Sequence, residues 1–181
     1  MPTPTAAVTE AQAQRHLAAT RDAVLAHCAQ LSPEAWHRSD GAGRWTPAQI
    51  LEHLVLVEQR ILGLLGAMLE QAPEADWRER TAAQEPKLAA TAVAASKVEA
   101  PPPMHPQGNR APAELQAAFA ALRERTMALA VRRGELEQRV KTHLALGDLN
   151  GWQWLRVLGY HTERHLAQMQ AAGGGAAAAR G

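Results

Sequence analysis

The stretch "RWTPAQILEHL", residues 44–54, contains the clearest helix start in this chain. Thr46 is a residue type that favours the N-cap position of a helix. Pro47 follows at the first helical position, where the N–H that proline lacks would have had no partner within the helix. Apolar residues then recur at intervals of three and four, and they mark one buried face: Ile50, Leu54, Val57, Ile61, Leu65 and Met68. The stretch therefore predicts an amphipathic helix that begins at Pro47.

Three further stretches show helical periodicity, and none shows sustained alternation of apolar and polar residues. One covers about residues 9–31, before the quoted stretch, and another covers about residues 112–133 and stops before Gly134. The last begins around Asn150, a good N-cap residue, and ends near residue 172. The sequence thus predicts an all-α protein with four helices.

A long, proline-rich connection, residues 72 to about 110, joins the second and third predicted helices. Connections of this length are unusual inside one compact domain. A crossover would explain it, because two parallel helices require the chain to travel the length of a bundle before the second helix begins. The segment after residue 172, "GGGAAAARG", has no large side chain to bury, so we expect one domain over residues 1–172 and a disordered Gly/Ala tail over residues 173–181.

The composition excludes several classes of protein. Lysine plus arginine, 19 residues, nearly balance aspartate plus glutamate, 18 residues, so no basic surface predicts nucleic-acid binding. No apolar run approaches the ~18 residues needed to span a bilayer, and the stretch "MPTPTAAVTEAQAQ" does not resemble a secretory signal. Cys28 is the only cysteine, which excludes an internal disulfide and a cysteine-rich metal site. We therefore expect a soluble cytoplasmic protein with no nucleic-acid or membrane partner.

Two histidines, His161 and His165, lie one helical turn apart in the stretch "GYHTERHLAQ", residues 159–168. Eight histidines in 181 residues produce roughly 0.35 such pairs by chance, so the spacing alone is weak evidence of a site. Their orientation strengthens it, because both fall on the apolar side of the last predicted helix, in line with Leu158. His53 lies on the core stripe of the second predicted helix, beside Leu54. Three histidines are therefore expected to point into the core.

Two interpretations of these inward histidines remain open. A buried polar group without a partner costs about 1–3 kcal/mol, so each ring must bind something. In the first interpretation each ring forms a hydrogen bond with a neighbouring carboxylate or carbonyl and has only a structural role. In the second, the pair on one helix and a third ring from a facing helix hold one metal ion and leave a coordination position open.

The remaining polar and aromatic residues give weaker signals. We expect the other histidines to be solvated or to cap local structure: His16, His27, His37, His105 and His143. Glu163 and Arg164 lie between the paired histidines, but adjacent helix positions face other directions, so we interpret both as surface charges. Arg44 and Trp45 are candidates for the mouth of a site, and Cys28 is interpreted as a small hydrophobic residue.

Three motifs together resemble one family: "GRWTPAQILEHL", then "KVEAPPPMHPQG", then "LGDLNGWQWLRVLGYHTERHLAQM". In this order and at these separations they resemble the DinB/YfiT-like superfamily, a group of proposed metalloenzymes. The resemblance covers about residues 9–172. Its most specific element is one histidine on the second helix followed by the HxxxH pattern on the fourth. The segment "THLALGDLN" departs from relatives that have a histidine, a proline and a glycine turn there, which puts in doubt any role for His143.

The resemblance implies a four-helix bundle with up-down-down-up connectivity, in agreement with the crossover inferred above. It implies that His53, His161 and His165 correspond to the three metal ligands of the family. Zinc, nickel or iron occurs among relatives, so the expected cofactor is a divalent transition metal, with a low-molecular-weight thiol as a second candidate. Homodimers are common in the family, and we expect one here.

Relatives with this fold include transferases and isomerases that use thiols, and many proteins described as hydrolases. We therefore expect a small-molecule substrate and a metal-dependent thiol S-transferase that acts on electrophilic compounds. A metal-dependent hydrolase is the first alternative, but the sequence shows no clear general base beside the three histidines. A non-catalytic bundle with a structural metal is the second alternative. The fold alone does not select among them.

Overall fold

The computed structural model describes residues 8–90 and 101–174. Four long helices form a bundle: α1 (Glu10–Cys28), α2 (Pro47–Leu69), α4 (Pro112–Ala128) and α6 (Gly151–Gly174). Two short helices, α3 (Trp77–Thr81) and α5 (Arg133–Glu137), lie in the connections between them. The predicted all-α bundle is thus confirmed. Within the two described ranges, no helix combines the length and the apolarity that crossing a membrane requires.

Two predicted helix starts are confirmed by reciprocal capping contacts. The Gln49 N–H donates to the Thr46 hydroxyl at 3.3 Å, and the Gln49 side-chain oxygen accepts from the Thr46 N–H at 3.0 Å. At the start of α6, the Gln153 N–H donates to the Asn150 side-chain oxygen at 2.9 Å, and the Asn150 N–H donates to the Gln153 side-chain oxygen at 3.1 Å. These contacts satisfy N–H groups that have no partner within a helix. They fix where α2 and α6 begin, and hence which residues face the core.

Two apolar layers of the core establish the direction of each long helix. One layer joins the C-terminal ends of α1 and α6 to the N-terminal halves of α2 and α4, and it includes Val24, Cys28, Ile50, Leu54, Leu115, Phe119 and Met169. The opposite layer joins the N-terminal halves of α1 and α6 to the C-terminal half of α2 and the chain just after α4, and it includes Leu17, Leu65, Ala130 and Leu158. The connectivity is therefore up-down-down-up, with α2 parallel to α4.

The connection from α2 to α4 contains more regular structure than the sequence predicted. It includes α3 and two 3-10 turns, Ala82–Lys87 and Pro102–Met104. Its second half is tied to α2, because the Gly108 N–H donates to the buried Glu52 carboxylate at 2.7 Å. Gly108 has a φ angle of 71°, in the left-handed region that favours glycine. This contact holds the crossover beside the N-terminal half of α2.

Several predicted boundaries differ from the structure. The first helix ends at Cys28 rather than near residue 31. The third helix ends at Ala128, and a 3-10 turn, Leu129–Arg132, follows it and carries Ala130 into the core. Gly134, which was expected just after the helix, therefore lies inside the short helix α5. The last continues through Gly174, two residues into the predicted tail, whose other residues, 175–181, lie outside the described part of the chain.

A short antiparallel hairpin, β1 (Val140–His143) and β2 (Gly147–Asn150), precedes α6 and was not predicted. Each strand has four residues, which is too short for alternation to stand out from the surrounding sequence. The hairpin leads directly into α6, since Asn150 both ends β2 and caps that helix. It therefore positions the helix that carries two of the three inward histidines.

An ion pair between Arg123 and Glu58 lies at the centre of the bundle, with side chains 0% and 1% exposed. The guanidinium donates twice to the carboxylate, at 2.9 and 2.8 Å. Its other N–H groups donate to the Leu17 carbonyl at 3.0 Å, the Thr20 hydroxyl at 2.9 Å and the Thr162 hydroxyl at 2.7 Å. One side chain from α4 thus contacts α1, α2 and α6. We refer to this set as the arginine clamp, and it fixes α6 at the residue next to His161.

Candidate metal centre

The structure brings His53, His161 and His165 together on the facing sides of α2 and α6. The Nε2 atom of His161 lies 3.4 Å from Nε2 of His53 and 3.1 Å from Nε2 of His165. One ring nitrogen from each histidine lies within 4.8 Å of those from the other two. Within the described ranges this is the group of His, Cys, Asp or Glu residues with a geometry suited to holding a metal ion.

The two short nitrogen–nitrogen distances are compatible with ligands of one ion. Imidazole nitrogens bind zinc at about 2.0–2.1 Å, which places two ligands of a tetrahedral site about 3.3–3.4 Å apart. The observed distances of 3.1 and 3.4 Å lie close to that separation. The three rings therefore need little movement to share a divalent cation.

Hydrogen bonds to the other ring nitrogens orient two of the histidines for this role. Nδ1 of His53 donates to the Met104 carbonyl at 2.8 Å, and a carbonyl can only accept. Nδ1 of His165 donates to the side-chain oxygen of Gln168 at 2.7 Å. Each neutral ring therefore presents the lone pair of Nε2 to the cluster. Such contacts fix the tautomer of ligand histidines in metal sites.

The third ring, His161, leaves the cluster incomplete in either tautomer. Its Nδ1 is buried and has no hydrogen-bond partner among the described residues. If the proton is on Nε2, Nδ1 is a buried acceptor without a donor. If the proton is on Nδ1, that N–H has no acceptor, and three Nε2 lone pairs converge. A divalent cation would bind all three lone pairs at once, so the donor set fits a metal.

Burial keeps the three rings neutral. It lowers the pKa of His53, lowers that of His161 well below the usual range, and lowers that of His165 to about 3. Repulsion from the neighbouring rings and from Arg164 acts in the same direction on His161 and His165. A metal ligand must be deprotonated, so the protein holds these histidines in the state that binds a cation.

Trp45 covers one side of the cluster, in agreement with the expectation that it lies at the mouth of a site. Its ring centroid lies 4.8 Å from that of His53 and 6.4 Å from that of His165, nearly parallel to the latter. Arg44 instead pairs with Asp40 at 2.6 Å and leaves 67% of its side chain exposed. The wall beside the rings is therefore aromatic, which reduces the access of water.

Arg164 was predicted to be a surface charge, and this prediction is wrong. A terminal nitrogen of its guanidinium lies 3.0 Å from Nε2 of His165, and burial lowers the pKa of the guanidinium. Arg164 is three positions after His161, so the two are neighbours on the helix surface, and the long side chain of the arginine reaches His165. The sequence carried one signal, because no carboxylate lies three or four positions away on the helix to pair with this arginine.

The other histidines divide between local and long-range roles. Nδ1 of His143 accepts from two N–H groups of its own hairpin loop, at 3.1 and 3.2 Å, as predicted for a local cap. His16 was expected to be solvated or local, but its Nε2 contacts the Glu163 carboxylate on α6 at 2.8 Å. A Cβ atom at Gly159 would lie only 2.6 Å from the His16 ring, so α1 packs closely against α6 there. Neither histidine belongs to the cluster.

Cys28, interpreted from the sequence as a small hydrophobic residue, lies in the apolar layer shared by the four long helices. Burial raises the pKa of its thiol to about 12. The thiol is therefore protonated at neutral pH, and the nucleophilic thiolate form is suppressed. Cys28 contributes packing and no reactive sulfur to the histidine cluster.

The fold and the cluster define a class: four-helix bundles with a three-histidine centre, compatible with metal binding, on two facing helices. Residues 16–169 match the sequence profile of the DinB superfamily, and the chain belongs to that superfamily. It is 26% identical to the uncharacterized protein YuaE of Bacillus subtilis (strain 168) over 145 residues, which cover 77% of this chain and 84% of YuaE. It also resembles the crystal structure of TT2238, which is described as a four-helix bundle protein. The two structures match with a TM-score of 0.58 and 23% sequence identity, and the match covers 90% of this chain and 99% of TT2238.

Proposed function

We propose that this protein is a divalent-metal-dependent enzyme that transfers a low-molecular-weight thiol to an electrophilic small molecule. The observation that carries the proposal is the convergence of three neutral Nε2 atoms, two of them on rings whose Nδ1 protons are already donated elsewhere. Zinc, nickel and iron all accept imidazole ligands, and three such ligands leave a position for a substrate.

The carboxylates near the cluster favour thiol transfer over hydrolysis. The group of possible ligands in the described ranges contains no Asp or Glu. Glu52 is buried and accepts from the Gly108 N–H, and Glu58 is paired with Arg123 in the arginine clamp. Hydrolysis benefits from a general base that takes a proton from water. A thiol depends less on such a base, because loss of its proton leaves a thiolate whose sulfur can attack the electrophile directly.

A divalent metal supplies one function here: it lowers the pKa of a coordinated thiol, so that the thiolate is available at neutral pH. The thiol proton leaves to solvent. The sulfur then forms a bond to an electrophilic carbon of the second substrate, and the bond from that carbon to its leaving group breaks, with the electron pair on the leaving group. His53, His161 and His165 would hold the metal that binds this sulfur, and the Trp45 ring lies beside two of them, where it would limit the access of water.

The first test is the metal content of protein purified without a polyhistidine tag or chelator. We expect about one divalent transition-metal ion per chain, as three convergent imidazoles predict. His161→Ala removes the ring that contacts both others, and the metal should be lost. His143→Ala is the matched control, since this histidine caps the hairpin loop. Absence of metal in the wild-type protein under all loading conditions would exclude the proposal.

The second test is the chemistry. Cysteine and glutathione are mixed with a chromogenic aryl halide and the metal-loaded protein, and the rate of thioether formation is measured. We expect a rate that depends on both thiol and metal, disappears on chelation and is absent in His161→Ala. Hydrolysis of esters or amides without thiol dependence would favour the hydrolase instead. A bound metal that changes only thermal stability would favour a structural role.

A further inference from the structure

We infer that a cavity between α1 and α6 binds small organic carboxylates with an apolar body, and that Arg156 donates hydrogen bonds to the carboxylate group. None of the three clustered histidines lines this cavity. A ligand there needs no metal ion, so this second site is independent of the proposed function and is tested separately from it.

The α1–α6 cavity has a volume of about 260 Å³ and combines an apolar lining with polar side chains. Its apolar lining includes Val8, Ala13 and Leu17, and its polar side chains include His16, Arg156 and Tyr160. A cavity of about 150 Å³ inside a protein is large enough to hold benzene. The α1–α6 cavity therefore has room for a single ring that carries a small substituent.

Arg156 brings a buried donor without an acceptor to the lining of this cavity. Its side chain belongs to a residue that is 6% exposed, and its Nη1 donates to Oε1 of Glu85 at 2.5 Å. The buried Nε of Arg156 has no hydrogen-bond partner among the described residues. The other oxygen of Glu85 accepts from the Gln153 side chain at 3.3 Å. A buried N–H without an acceptor is unfavourable, so Arg156 favours a ligand that supplies one.

Other arginines of this protein show which group binds the edge formed by Nε and Nη2. In three of them both nitrogens donate to one carboxylate: Arg80 to Asp148, Arg123 to Glu58 and Arg132 to Glu135. The planar edge matches the two oxygens of a carboxylate in spacing. In Arg156, Glu85 contacts Nη1 instead, and the described residues place no carboxylate on the Nε–Nη2 edge. A carboxylate is therefore the group that best completes Arg156.

The rest of the lining favours an apolar body attached to this carboxylate. The rings of His16 and Tyr160 lie 4.9 Å apart, and Ala13 and Leu17 are 3% and 1% exposed. The His16 ring is held in place by the Glu163 carboxylate at 2.8 Å. Sites for small molecules combine such apolar and aromatic walls with a few polar groups that fix orientation. We therefore expect an aromatic or short aliphatic carboxylate, with benzoate as the simplest probe.

A purely structural role for Arg156 makes a different prediction. Glu85 lies in the crossover, and its ion pair with Arg156 ties that segment to α6. Lysine at position 156 can keep this ion pair, but it lacks the planar edge that binds a carboxylate through two nitrogens. If Arg156 serves only to hold Glu85, Arg156→Lys should leave benzoate binding unchanged. If Arg156 binds the ligand, Arg156→Lys should weaken benzoate binding in a protein that remains folded.

The experiment uses the full chain with a chelator present, so that no cation at the histidine cluster can bind the probe. Benzoate is titrated and followed by the backbone amide signals in NMR, with benzamide as a neutral probe of the same shape. The variants are Arg156→Lys and Ala13→Leu, which narrows the cavity from α1. Arg21→Lys is the control, because Arg21 also pairs with carboxylates, has a side chain that is 18% exposed and lies outside the cavity lining. Circular dichroism checks the folding of each variant.

We expect benzoate to shift amide signals of α1 and α6 around the cavity, and benzamide to bind at least about tenfold more weakly, since hydrogen bonds between charged groups are the stronger ones. Arg156→Lys should weaken benzoate binding by a similar factor, Ala13→Leu should weaken it by occupying the space, and Arg21→Lys should match wild type.

Three results would overturn the inference: no binding of benzoate to wild type, equal affinity for benzamide, or unchanged benzoate affinity in Arg156→Lys. Shifts confined to residues away from the cavity would do the same. If Arg156→Lys fails to fold, unchanged benzoate affinity in Ala13→Leu is the result that counts against the cavity. None of these results alters the case for the metal site, which the metal content of His161→Ala tests on its own.

Discussion

The bundle contains two buried polar sets that differ in how completely their hydrogen bonds are made. In the arginine clamp, the Arg123 guanidinium makes two bonds to Glu58 and one to each of three further acceptors. In the histidine cluster, nitrogen lone pairs face one another, and Nδ1 of His161 has no partner among the described residues. Both sets contact α2 and α6, and on α6 the clamp residue Thr162 lies next to His161.

The difference indicates what each set is for. A buried polar network is stable when every member is satisfied, and the arginine clamp meets that condition without any ligand. The histidine cluster does not, and its converging Nε2 lone pairs are the feature that a cation could satisfy. The first set therefore holds the bundle together, and the second is the candidate site of function.

Breaking the arginine clamp should destabilise the protein most. Arg123→Met leaves the Glu58 carboxylate buried without a counter-charge, and removal of one partner of a buried pair costs about 3–5 kcal/mol. The free energy of unfolding in urea, measured on metal-free protein, tests this. Arg132→Met is the control, because Arg132 and Glu135 form a pair with side chains 42% and 51% exposed. The loss in Arg132→Met should be much smaller, because water and salt screen an exposed ion pair. Similar losses in both variants would remove the distinction between the two sets.

The metal should stabilise the wild-type protein but not a cluster variant. When free metal exceeds its dissociation constant about 1,000-fold, binding to the folded state adds about 4 kcal/mol to the free energy of unfolding. His161→Ala should lose this gain, because the ring that contacts both others is absent. His143→Ala should keep it. An equal gain in His161→Ala would place the metal elsewhere in the molecule.

Removing the acceptor of one ligand ring should weaken metal binding without abolishing it. In Gln168→Leu, Nδ1 of His165 loses the side-chain oxygen that receives its proton at 2.7 Å. Loss of such a partner typically lowers metal affinity about 10–100-fold. Gln170→Leu changes an exposed glutamine of the same helix and is expected to bind metal as wild type does. Isothermal titration of both variants measures the difference, and unchanged affinity in Gln168→Leu would show that the contact does not orient the ring.

Acidification should destabilise the metal-free protein through the histidine cluster. Burial lowers the pKa of His165 to about 3, so below the unfolded-state pKa of about 6.5 the unfolded chain binds a proton that the folded chain does not. Stability therefore falls as the pH falls from about 6.5 toward 3, by up to about 1.4 kcal/mol per pH unit for this one group.

The variant His165→Asn should show a shallower decrease over the same range. Urea unfolding at pH 7, 6 and 5 gives the two slopes. Identical slopes would mean that this ring is not held neutral in the folded protein.

The sequence was sufficient to predict which helices carry the three histidines and that these histidines point into the core. Thr46 and Pro47 signal a helix start through their own local chemistry, and this start sets the register of His53. His161 and His165 fall on an apolar stripe, so the helical period alone predicts that both point inward. Features of this kind depend on residues close together in the chain, which is why they can be predicted before the tertiary structure is known.

Long-range partners could not be predicted in the same way. Arg123 and Glu58 are 65 positions apart, and nothing in either helix alone identifies the other as its partner. Glu58 does carry a signal, since it falls on the same helical face as Leu54 and Ile61. A carboxylate on a core stripe requires a buried counter-charge, so its environment was predictable although its partner was not.

Arg164 and Met104 illustrate two further limits of the sequence. The helical position of Arg164 predicts the direction of its Cβ atom but not the path of a long side chain. Met104 contributes only its backbone carbonyl to His53, and any residue type has that group. Contacts of this kind become visible only when the crossover is placed against α2.

The distance along the chain between the candidate ligands sets the order of events during synthesis. His161 follows His53 by 108 positions, so a ribosome that adds about 5–20 residues per second produces it roughly 5–20 seconds later. Until then the nascent chain has a single candidate ligand and cannot compete for a scarce ion. An ion that needs all three histidines as ligands can therefore bind only after the last helix has been synthesised.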